Sequence, residues 1–566
     1  MASSPLILGP MLRHVDETSA GIWVETRAAC RVSIVAGGRS WHARSFAVHG
    51  HHYALVHVDG LDAGTELPYE VRVDDVAVWP EPGSEYPAPV IATRTPGRPL
   101  RLAYGSCRTS VPHDRTGNRT HGVDALRAFA LAVAAGQEER PDLLMFLGDQ
   151  VYADSTSTEM QDFIRARRDI HEEPGRELKD YEEYAHLYQL AWSDEANRWL
   201  LASVPTAMIF DDHDIRDDWN ASLDWRRKMQ ATSWWQGRIV AGLASYWVHQ
   251  HLGNLSPAER AEDELWRRIA GHDGPDELDL TEVLDAFADR SDRDPTSYRW
   301  SYCRDLDDVR LIVVDSRVSR DLTPSARGLF GPQELAWFDD RMQGGFRHVL
   351  VATSLPFLLP TGLHHVEAWD EAIAQGAWGK AAAWVGERLR QAVDLEHWAA
   401  FQRSFQAVAR IVTGLVDGER GVAPQTVTFL SGDVHYSYLA EVERDGGGRI
   451  VQAVCSPVRN PLPRLLRWFA VVMSYGVATP IGAAAARSVK VPDPPFQWKT
   501  VKGPWFDNNL ALLRDGPDGL TMTWHRGVVG RGDDLHPRLD EVACVHVPSG
   551  RDAGIRSGHG QRSGAA

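Results

Sequence analysis

The sequence predicts a small all-β domain followed by a large α/β domain. Residues 1–97 hold short β-branched runs without a helical period, which is typical of a β-sandwich. From residue 98 to residue 550, short apolar runs alternate with helical stretches, as they do in α/β folds. The 566 residues are 43% hydrophobic and 24% charged, which indicates an ordinary globular protein and argues against a disordered chain, a collagen-like fibre or a polytopic membrane protein.

The first domain is predicted from evenly spaced strands. These strands lie at residues 21–26, 31–35, 52–58 and 69–73. A Leu-x-x-Gly-Thr turn at residues 61–65 precedes the last of them, and the stretch resembles a fibronectin-type-III-like module. Residues 96–99, Pro-Gly-Arg-Pro, predict a linker, because proline and glycine interrupt regular structure.

The α/β domain is predicted from buried strands and the segments between them. Uninterrupted apolar runs are typical of parallel strands covered on both faces, and they lie at residues 101–106, 143–147, 206–210, 310–314, 348–352 and 426–430. Helical stretches are predicted at residues 123–135, 181–201 and 384–412, with a helical insertion at residues 220–300. Strands after residue 503 are expected to return to the sheet, and residues 551–566 are expected to form a disordered tail.

Charge and cysteine usage narrow the function classes. The chain has 60 basic and 77 acidic residues, a net charge of −17, which argues against nucleic-acid binding as its main role. Its five cysteines are scattered without a CxxC pair, so neither a zinc ribbon nor a disulfide scaffold is predicted. The start of the chain has no basic stretch leading into a long apolar one, so the cytoplasm is the predicted compartment.

Residues 468–486 form an uncharged segment. It is barely long enough to cross a bilayer, and its glycines, proline and alanines supply little transfer energy. No stable membrane span is therefore predicted, and a buried or substrate-side helical lid is expected. A surface-seeking helix that associates peripherally with a membrane is the alternative.

Four strand ends carry residues of the metal-ligand type. The motifs are Gly105-Ser-Cys107-Arg108, Gly148-Asp149-Gln-Val-Tyr152-Ala-Asp154, Asp211-Asp212-His213-Asp214 and Gly432-Asp433-Val-His435. Each motif alone is weak, since a Gly-Asp pair is commonly a turn and a lone cysteine is commonly a small buried apolar residue. Because all four follow apolar strands, their carboxylate, imidazole, thiolate and phenolate groups are expected to converge and to hold two or more cations.

Taken together, the four motifs resemble the signature blocks of the PhoD-like alkaline phosphatases, within the calcineurin-like metallophosphoesterases. The resemblance extends over residues 5–550. It implies a layered α-β-β-α sandwich as the catalytic domain at residues 98–550, behind the β-sandwich at residues 1–97. It also implies a phosphatase or phosphodiesterase acting on a small phosphoester.

The resemblance implies a role for each motif residue. Asp149 would bridge two metal ions, with Cys107 and Tyr152 on one ion, Asp212 on the other, and Asp433 and His435 each on a cation. His213 would lie beside the scissile phosphate as proton donor or charge stabiliser, and Asp214 would orient it. Arg108 is either a phosphate-binding group or part of a structural ion pair. Arg317 and Arg320 are weaker candidates of the same kind, and His364 and His365 are expected in a loop at the substrate mouth.

The ligand types bear on the identity of the metals. A thiolate and a phenolate suit ferric iron, whereas carboxylates suit calcium or manganese. The resemblance implies Fe³⁺ and Ca²⁺, and the residues alone leave Mn²⁺ and Zn²⁺ open. Two features depart from the wider superfamily: residues 351–356 contain no histidine, and no twin-arginine signal is present.

The function predicted is metal-dependent hydrolysis of phosphomonoesters, phosphodiesters or both, in which a hydroxide held by the metals attacks phosphorus. Two alternatives stay open at this point: a phosphoesterase directed at phospholipids, and a non-catalytic binding protein of the same fold. Neither the natural substrate nor the oligomeric state follows from the sequence.

Overall fold

The computed structural model describes residues 4–392, 395–463, 467, 471, 479–549 and 555–557. Its first part is a sandwich of two β-sheets. The strands are β1 (Leu6–Val15), β2 (Ala20–Thr26), β3 (Arg31–Ala36), β4 (Arg39–Arg44), β5 (Phe46–Val48), β6 (His51–Val58), β7 (Glu66–Val73), β8 (Val76–Trp79) and β9 (Val90–Ala92). One sheet contains β1, β2, β6 and β5, and the other contains β4, β3, β7 and β8. Side chains such as Ile22, Val56 and Val71 are buried between them, so the predicted β-sandwich is confirmed.

The second part is built on two further sheets. The strands of the first are β10 (Arg101–Gly105), β11 (Leu143–Leu147), β12 (Thr206–Ile209), β21 (Leu510–Gly516), β22 (Gly519–Gly530), β23 (Asp533–Pro548) and β24 (Arg556–Ser557). The strands of the second are β14 (Tyr302–Leu306), β15 (Val309–Val314), β16 (His348–Thr353), β17 (Thr426–Ser431), β18 (Ser437–Glu443), β19 (Arg449–Val454) and β20 (Gln497–Trp505). In the first sheet β10, β11 and β12 run parallel, and in the second β15, β16, β17 and β19 do.

Alternate side chains of these strands face two different cores. Leu102 and Met145 of the first sheet share one core with Leu311 and Leu350 of the second. Their sequence neighbours point the other way, toward helices, because successive strand residues face opposite sides. The sheets therefore pack face to face between two helical layers, which confirms the predicted α-β-β-α sandwich.

The helices lie in these outer layers and in the insertion. They are α1 (Arg115–His121), α2 (Ala125–Ala134), α3 (Thr158–Arg167), α4 (Tyr181–Trp192), α5 (Glu195–Ser203), α6 (Leu223–Gln230), α7 (Trp235–Tyr246), α8 (Pro257–Glu262), α9 (Glu264–Ala270), α10 (Thr281–Arg293), α11 (Pro332–Arg341), α12 (Thr361–Ala374), α13 (Lys380–Ala392), α14 (Gln402–Val416) and α15 (Thr479–Ser488). The stretch predicted as one helix at 181–201 is two helices. The second begins at Glu195, just after Asp194, whose side chain accepts a hydrogen bond from the backbone N–H of Asn197 and so caps the new helix.

The insertion at residues 220–300 is helical, as predicted, and it also adds a strand to the first domain. Strand β13 (Leu278–Asp279) pairs in parallel with β5. The side chain of His52 contacts Glu277 at 2.7 Å beside this pairing. The insertion therefore ties the β-sandwich to the α/β domain.

The end of the chain departs from one prediction. Within the segment expected to be disordered, β24 pairs with β23, and the other residues of 551–566 except Ile555 lie outside the described part. Of the uncharged segment at 468–486, residue 471 and residues 479–486 are described, the latter in α15. Among the described residues, no helix has both the length and the apolar character that crossing a membrane requires.

Candidate metal centre

Four loops meet at one edge of the two central sheets. They follow β10, β11, β12 and β17, and parallel strands bring their carboxyl ends to a common edge. The two sheets touch here, because the backbone N–H of Asp433 donates to Ser106 Oγ at 3.2 Å. A Cβ at Gly432 would lie 1.9 Å from the same oxygen, so glycine is required for this approach.

The backbone at this edge is held in the left-handed region at four non-glycine residues. The φ angle is +58° at Cys107, +51° at Asp149, +65° at Asp433 and +56° at His435. Each such residue costs on the order of 1–3 kcal/mol, and such residues cluster at functional sites. All four are predicted metal ligands.

The structure brings the predicted ligands into three overlapping groups that share Asp149. Within each group, one potential ligand atom per residue lies within 4.8 Å of all the others. The groups are Cys107–Asp149–His435, Asp149–Asp212–His213 and Asp149–Asp211–Asp212–Asp433. Tyr152 adjoins the first group, since its hydroxyl lies 3.4 Å from Asp149 Oδ2, and Cys107 Sγ lies 3.3 Å from the same oxygen.

The electrostatics of these groups favour a cation. Burial, together with the neighbouring Cys107 thiol, raises the pKa of Asp149 well above its ordinary range. Burial also raises the pKa of Asp211 and of Asp212, each with the repulsion of nearby carboxylates. Asp149 Oδ1 is buried with no hydrogen-bond partner. Ionised carboxylates can only accept hydrogen bonds, so a buried set of their oxygens beside a thiol fits metal ions. The same set would be unfavourable in an apolar core, because burying an uncompensated charge costs free energy.

Arg317 supplies part of the compensating charge. Its guanidinium contacts Asp211 and Asp212 on one side and Glu396 on the other. Arg320 also binds Glu396, at 3.1 Å. Both arginines are fully buried. They therefore hold the acidic loop in place from the protein interior and do not line a phosphate site open to solvent.

His213 is oriented by a residue other than the predicted one. Its Nδ1 lies 2.9 Å from the carboxylate of Asp154. Burial lowers the pKa of His213, but Asp154, Asp212 and Asp149 together outweigh burial and raise that pKa well above its ordinary value. Asp214 instead accepts the backbone N–H groups of Asp149 and Asp211, at 2.9 and 2.8 Å. The prediction that Asp214 orients His213 is wrong, because that carboxylate is turned inward to hold two loops together.

Arg108 forms a structural ion pair, the second of the two roles predicted for it. Its Nε and Nη2 bind Asp124 at 3.0 and 2.8 Å, and Nη1 donates to the carbonyl of Ala191 at 2.6 Å. Asp124 also caps α2. With every guanidinium nitrogen directed at protein, Arg108 ties the loop after β10 to two helices and is not placed to bind a substrate phosphate.

His397 was not predicted and contacts the site. Its Nε2 lies 2.8 Å from Asp433 Oδ2, and its Nδ1 lies 3.2 Å from Glu367 of α12. Burial raises the pKa of Asp433, but the hydrogen bond and charge of His397, together with the charges of Arg317 and His435, outweigh burial and lower it. His397 follows no apolar strand, so the pattern that marks the other site residues does not mark it.

His364 was expected in a loop, but it lies in α12 and is buried against Phe405 and Trp498.

Comparison with known proteins matches this fold. The family model described as PhoD-like phosphatase matches residues 124–463, and a domain of unknown function (DUF7800) matches residues 3–91. The solved structure of PhoD is similar over 98% of this chain and 92% of its own, with a TM-score of 0.58 and 13% identity. A purple acid phosphatase, PPD1, from yellow lupin (Lupinus luteus) seeds is similar over 91% of this chain and 71% of its own, with a TM-score of 0.48 and 9% identity. No curated protein sequence matches the chain.

Proposed function

The chain belongs to the PhoD-like phosphatase family, and from that premise we propose that it hydrolyses phosphomonoesters, phosphodiesters or both with two or more bound metal ions. Membership makes it a phosphoester hydrolase of the metallophosphoesterase kind, and so disfavours a purely binding role. The observation that carries the proposal is the sharing of Asp149 by three groups of ligand atoms, each group within 4.8 Å. One carboxylate common to several ligand sets is what a site for more than one cation needs.

The proposed ligands divide into two ends around Asp149. Cys107, Tyr152 and His435 would hold one ion together with Asp149, and the thiolate and phenolate favour Fe³⁺ there. Asp212 and Asp433 would hold the other with the same bridge, and an all-carboxylate set favours Ca²⁺ or Mn²⁺. Asp211 is in the same group, but Arg317 donates a hydrogen bond to it from Nε. Asp212 has only an ion-pair contact with Arg317, at 3.0 Å, so we assign the supporting role to Asp211.

The protein side chains supply the proton chemistry. When bound, the cations would activate water and neutralise phosphoryl oxygens. His213, charged through its contact with Asp154 and only partly exposed, would donate a proton to the leaving oxygen of the ester. The centroid of its ring lies 4.6 Å from that of the Tyr152 ring, so Tyr152 packs against the imidazole and restricts its orientation.

The domain organisation is proposed on the same basis. Residues 1–97 form the β-sandwich domain, residues 98–550 form the catalytic domain with the helical insertion at 220–300, and residues 551–566 follow as a tail in which β24 pairs with β23. The positions of all six ligands within the second span support this division, because the catalytic apparatus then belongs to one domain.

Metal depletion tests the proposed activity. Protein treated with a chelator should lose hydrolysis of p-nitrophenyl phosphate and of its bis-ester, and should regain it when Fe³⁺ and Ca²⁺ are restored. Elemental analysis should find at least two metal ions per chain before treatment. An undiminished rate in metal-free protein would refute the proposal.

Three variants separate the roles within the site. Asp149→Asn should lose both metal and turnover, because one carboxylate serves every ligand group. His213→Ala should keep its metals and lose about 10²- to 10⁴-fold in rate, as expected for a proton donor. Asp315→Asn is the matched control, since Asp315 is a buried strand-end aspartate that accepts backbone N–H groups. Equal metal loss in His213→Ala would make His213 a ligand.

A further inference from the structure

Helix α13 exposes an apolar and basic stripe to solvent. The stripe consists of Lys380, Ala381, Trp384, Val385, Arg388 and Leu389, all exposed and spaced as one face of a helix. Trp384 and Val385 are 58% and 57% exposed. The outward face of a surface helix is ordinarily polar, so this apolar face indicates a surface that contacts another molecule.

The same group of helices holds most of the exposed large apolar residues. Helix α12 packs against both α13 and α15. Trp378, just before α13, is 56% exposed, and Ile481 of α15 is 74% exposed. In the described part of the chain, five of the eight exposed large hydrophobic residues belong to this group, and the other three are scattered. Concentrated exposure of this kind marks an interaction site.

The charge of the stripe is opposite to that of the protein. The chain has a net charge of −17, yet the charged members of the stripe are Lys380 and Arg388. Within residues 380–391 the one acid, Glu387, turns inward to Ser222 and Arg390. The guanidinium of Arg388 lies over the ring of Trp384 at 3.8 Å, so cation and aromatic form a single unit.

We propose that this stripe docks the protein on an anionic lipid surface. Tryptophan rings and long aliphatic stems settle at the boundary between headgroups and acyl chains, while cations meet lipid phosphates. A second copy of the chain fits less well, because a two-fold contact would place Lys380 and Arg388 against the same cations. A 13-residue helix lies on a bilayer and does not cross it.

The docking stripe is linked to the candidate metal centre. Helix α12, between α13 and α15, carries Glu367, which accepts a hydrogen bond from the backbone N–H of His397. His397 in turn contacts Asp433. A chain of contacts through α12 therefore joins the helix that packs against α13 to the loop after β17. The inference is independent of the proposed function, since lipid binding requires no turnover.

Vesicle flotation with the full-length protein tests the proposal. Vesicles of phosphatidylcholine alone are compared with vesicles containing about 30% phosphatidylglycerol, a charge density that attracts basic surface residues. The protein should float with the anionic vesicles and stay behind with the neutral ones. Added salt should weaken the binding, because it screens the charged part of the interaction.

Paired variants assign the binding to the stripe. Trp384→Ser with Val385→Ser should weaken binding at least about tenfold, and Lys380→Gln with Arg388→Gln should weaken it about fivefold per cation. Matched controls lie outside the helical group: Val422→Ser with Leu535→Ser, and Arg267→Gln with Arg268→Gln. These exposed positions should leave binding within about twofold. All variants should keep wild-type hydrolysis of p-nitrophenyl phosphate without vesicles.

Three outcomes would overturn the proposal. The first is no preference of the wild type for anionic vesicles, and the second is equal binding by wild type and both stripe variants. The third is a dimer that dissociates in Trp384→Ser with Val385→Ser while the wild type fails to float, which would make the stripe a self-association surface. Inactivity of all proteins, with flotation unchanged, would refute the proposed function and leave the docking intact.

Discussion

Asp154 governs the orientation of His213, and its loss should affect catalysis more than folding. Asp154→Asn removes the carboxylate that lies 2.9 Å from Nδ1, so the charged imidazole loses its partner. We expect the rate to fall roughly 10- to 100-fold, the range for residues that orient a functional side chain. Metal content, measured by elemental analysis, should be unchanged.

Asp214→Asn provides the contrast. Asp214 accepts two loop N–H groups at 2.9 and 2.8 Å, so its replacement should lower the thermal midpoint of unfolding. If Asp154→Asn behaved in the same way, with a lowered midpoint and lost metal, Asp154 would be a structural residue.

Tyr152 should give the iron-loaded protein a colour. A phenolate bound to Fe³⁺ produces a visible charge-transfer band, and Tyr152 adjoins the cysteine-containing ligand group. Tyr152→Phe should remove or shift the band while the circular dichroism spectrum stays unchanged. Tyr104→Phe is the control, because that tyrosine is equally buried but lies in the core between the sheets. A colourless, iron-free and fully active wild type would contradict the iron assignment and not the hydrolase one.

For the individual site residues, the sequence predicted which of them converge, but not which partners orient each side chain. Cys107, Asp149, Asp433 and His435 were found because each follows an apolar strand. The resemblance implies Asp214 as the partner of His213, because a carboxylate commonly orients a site histidine. Asp154 reaches His213 only through the fold of the loop after β11. The contact between His397 and Asp433 is likewise tertiary and leaves no local signal.

Arg108 illustrates how an element is anchored to its neighbours. It joins the loop after β10 to the start of α2 through Asp124 and to the end of α4 through Ala191. Arg108→Met should leave the buried Asp124 charge without its main partner. Such a loss costs about 3–5 kcal/mol, and it should appear as a lower thermal midpoint.

The turnover of Arg108→Met distinguishes structure from catalysis. In metal-loaded protein assayed well below its midpoint, the rate should stay within about threefold of wild type, because the guanidinium contacts only protein. A rate loss of 100-fold or more with an unchanged midpoint would restore the phosphate-binding assignment.

Elements were predictable where the signal is periodic and local. The apolar runs became β10, β11, β12, β15, β16 and β17, and the strands after residue 503 returned to the first sheet. Strand β13 was not predicted, because two residues carry no period and their conformation depends on pairing with β5. Helix breaks such as the one at Asp194 depend on a cap, which a periodic apolar pattern hides.

The assembly of the whole molecule depends on contacts between distant segments. The sequence indicated strands, but not their division into two sheets that pack through Leu102, Met145, Leu311 and Leu350. That division decides which strand ends face each other, and so which ligands can share Asp149. The family resemblance supplied this architecture, which no local pattern contained.

Buried neutral histidines should make the molecule sensitive to acid. Burial lowers the pKa of His14, His249, His251 and His364 to about 3 in each case. In the unfolded chain a histidine has a pKa of about 6.5. As pH falls from 6.5 toward 3, the unfolded state therefore binds protons that the folded state does not, and the free energy of unfolding decreases.

His249→Asn isolates one of these groups. The imidazole stacks on Tyr188 at 4.2 Å, and its Nδ1 lies 2.9 Å from the carbonyl of Ser245, which an asparagine amide can also reach. The charges that act on it, those of His51 and Arg13, are unchanged in the variant.

Between pH 7 and pH 5 the wild type should lose about 2 kcal/mol of unfolding free energy that the variant does not lose, at 1.36 kcal/mol per pKa unit. Thermal midpoints measured across this range should therefore converge toward acid pH, because the packing cost of the substitution is constant while the proton-linked penalty affects only the wild type. Parallel midpoint curves would mean that His249 takes up its proton in the folded state, and that the π-helical turn at Trp247–His251 admits water to the ring.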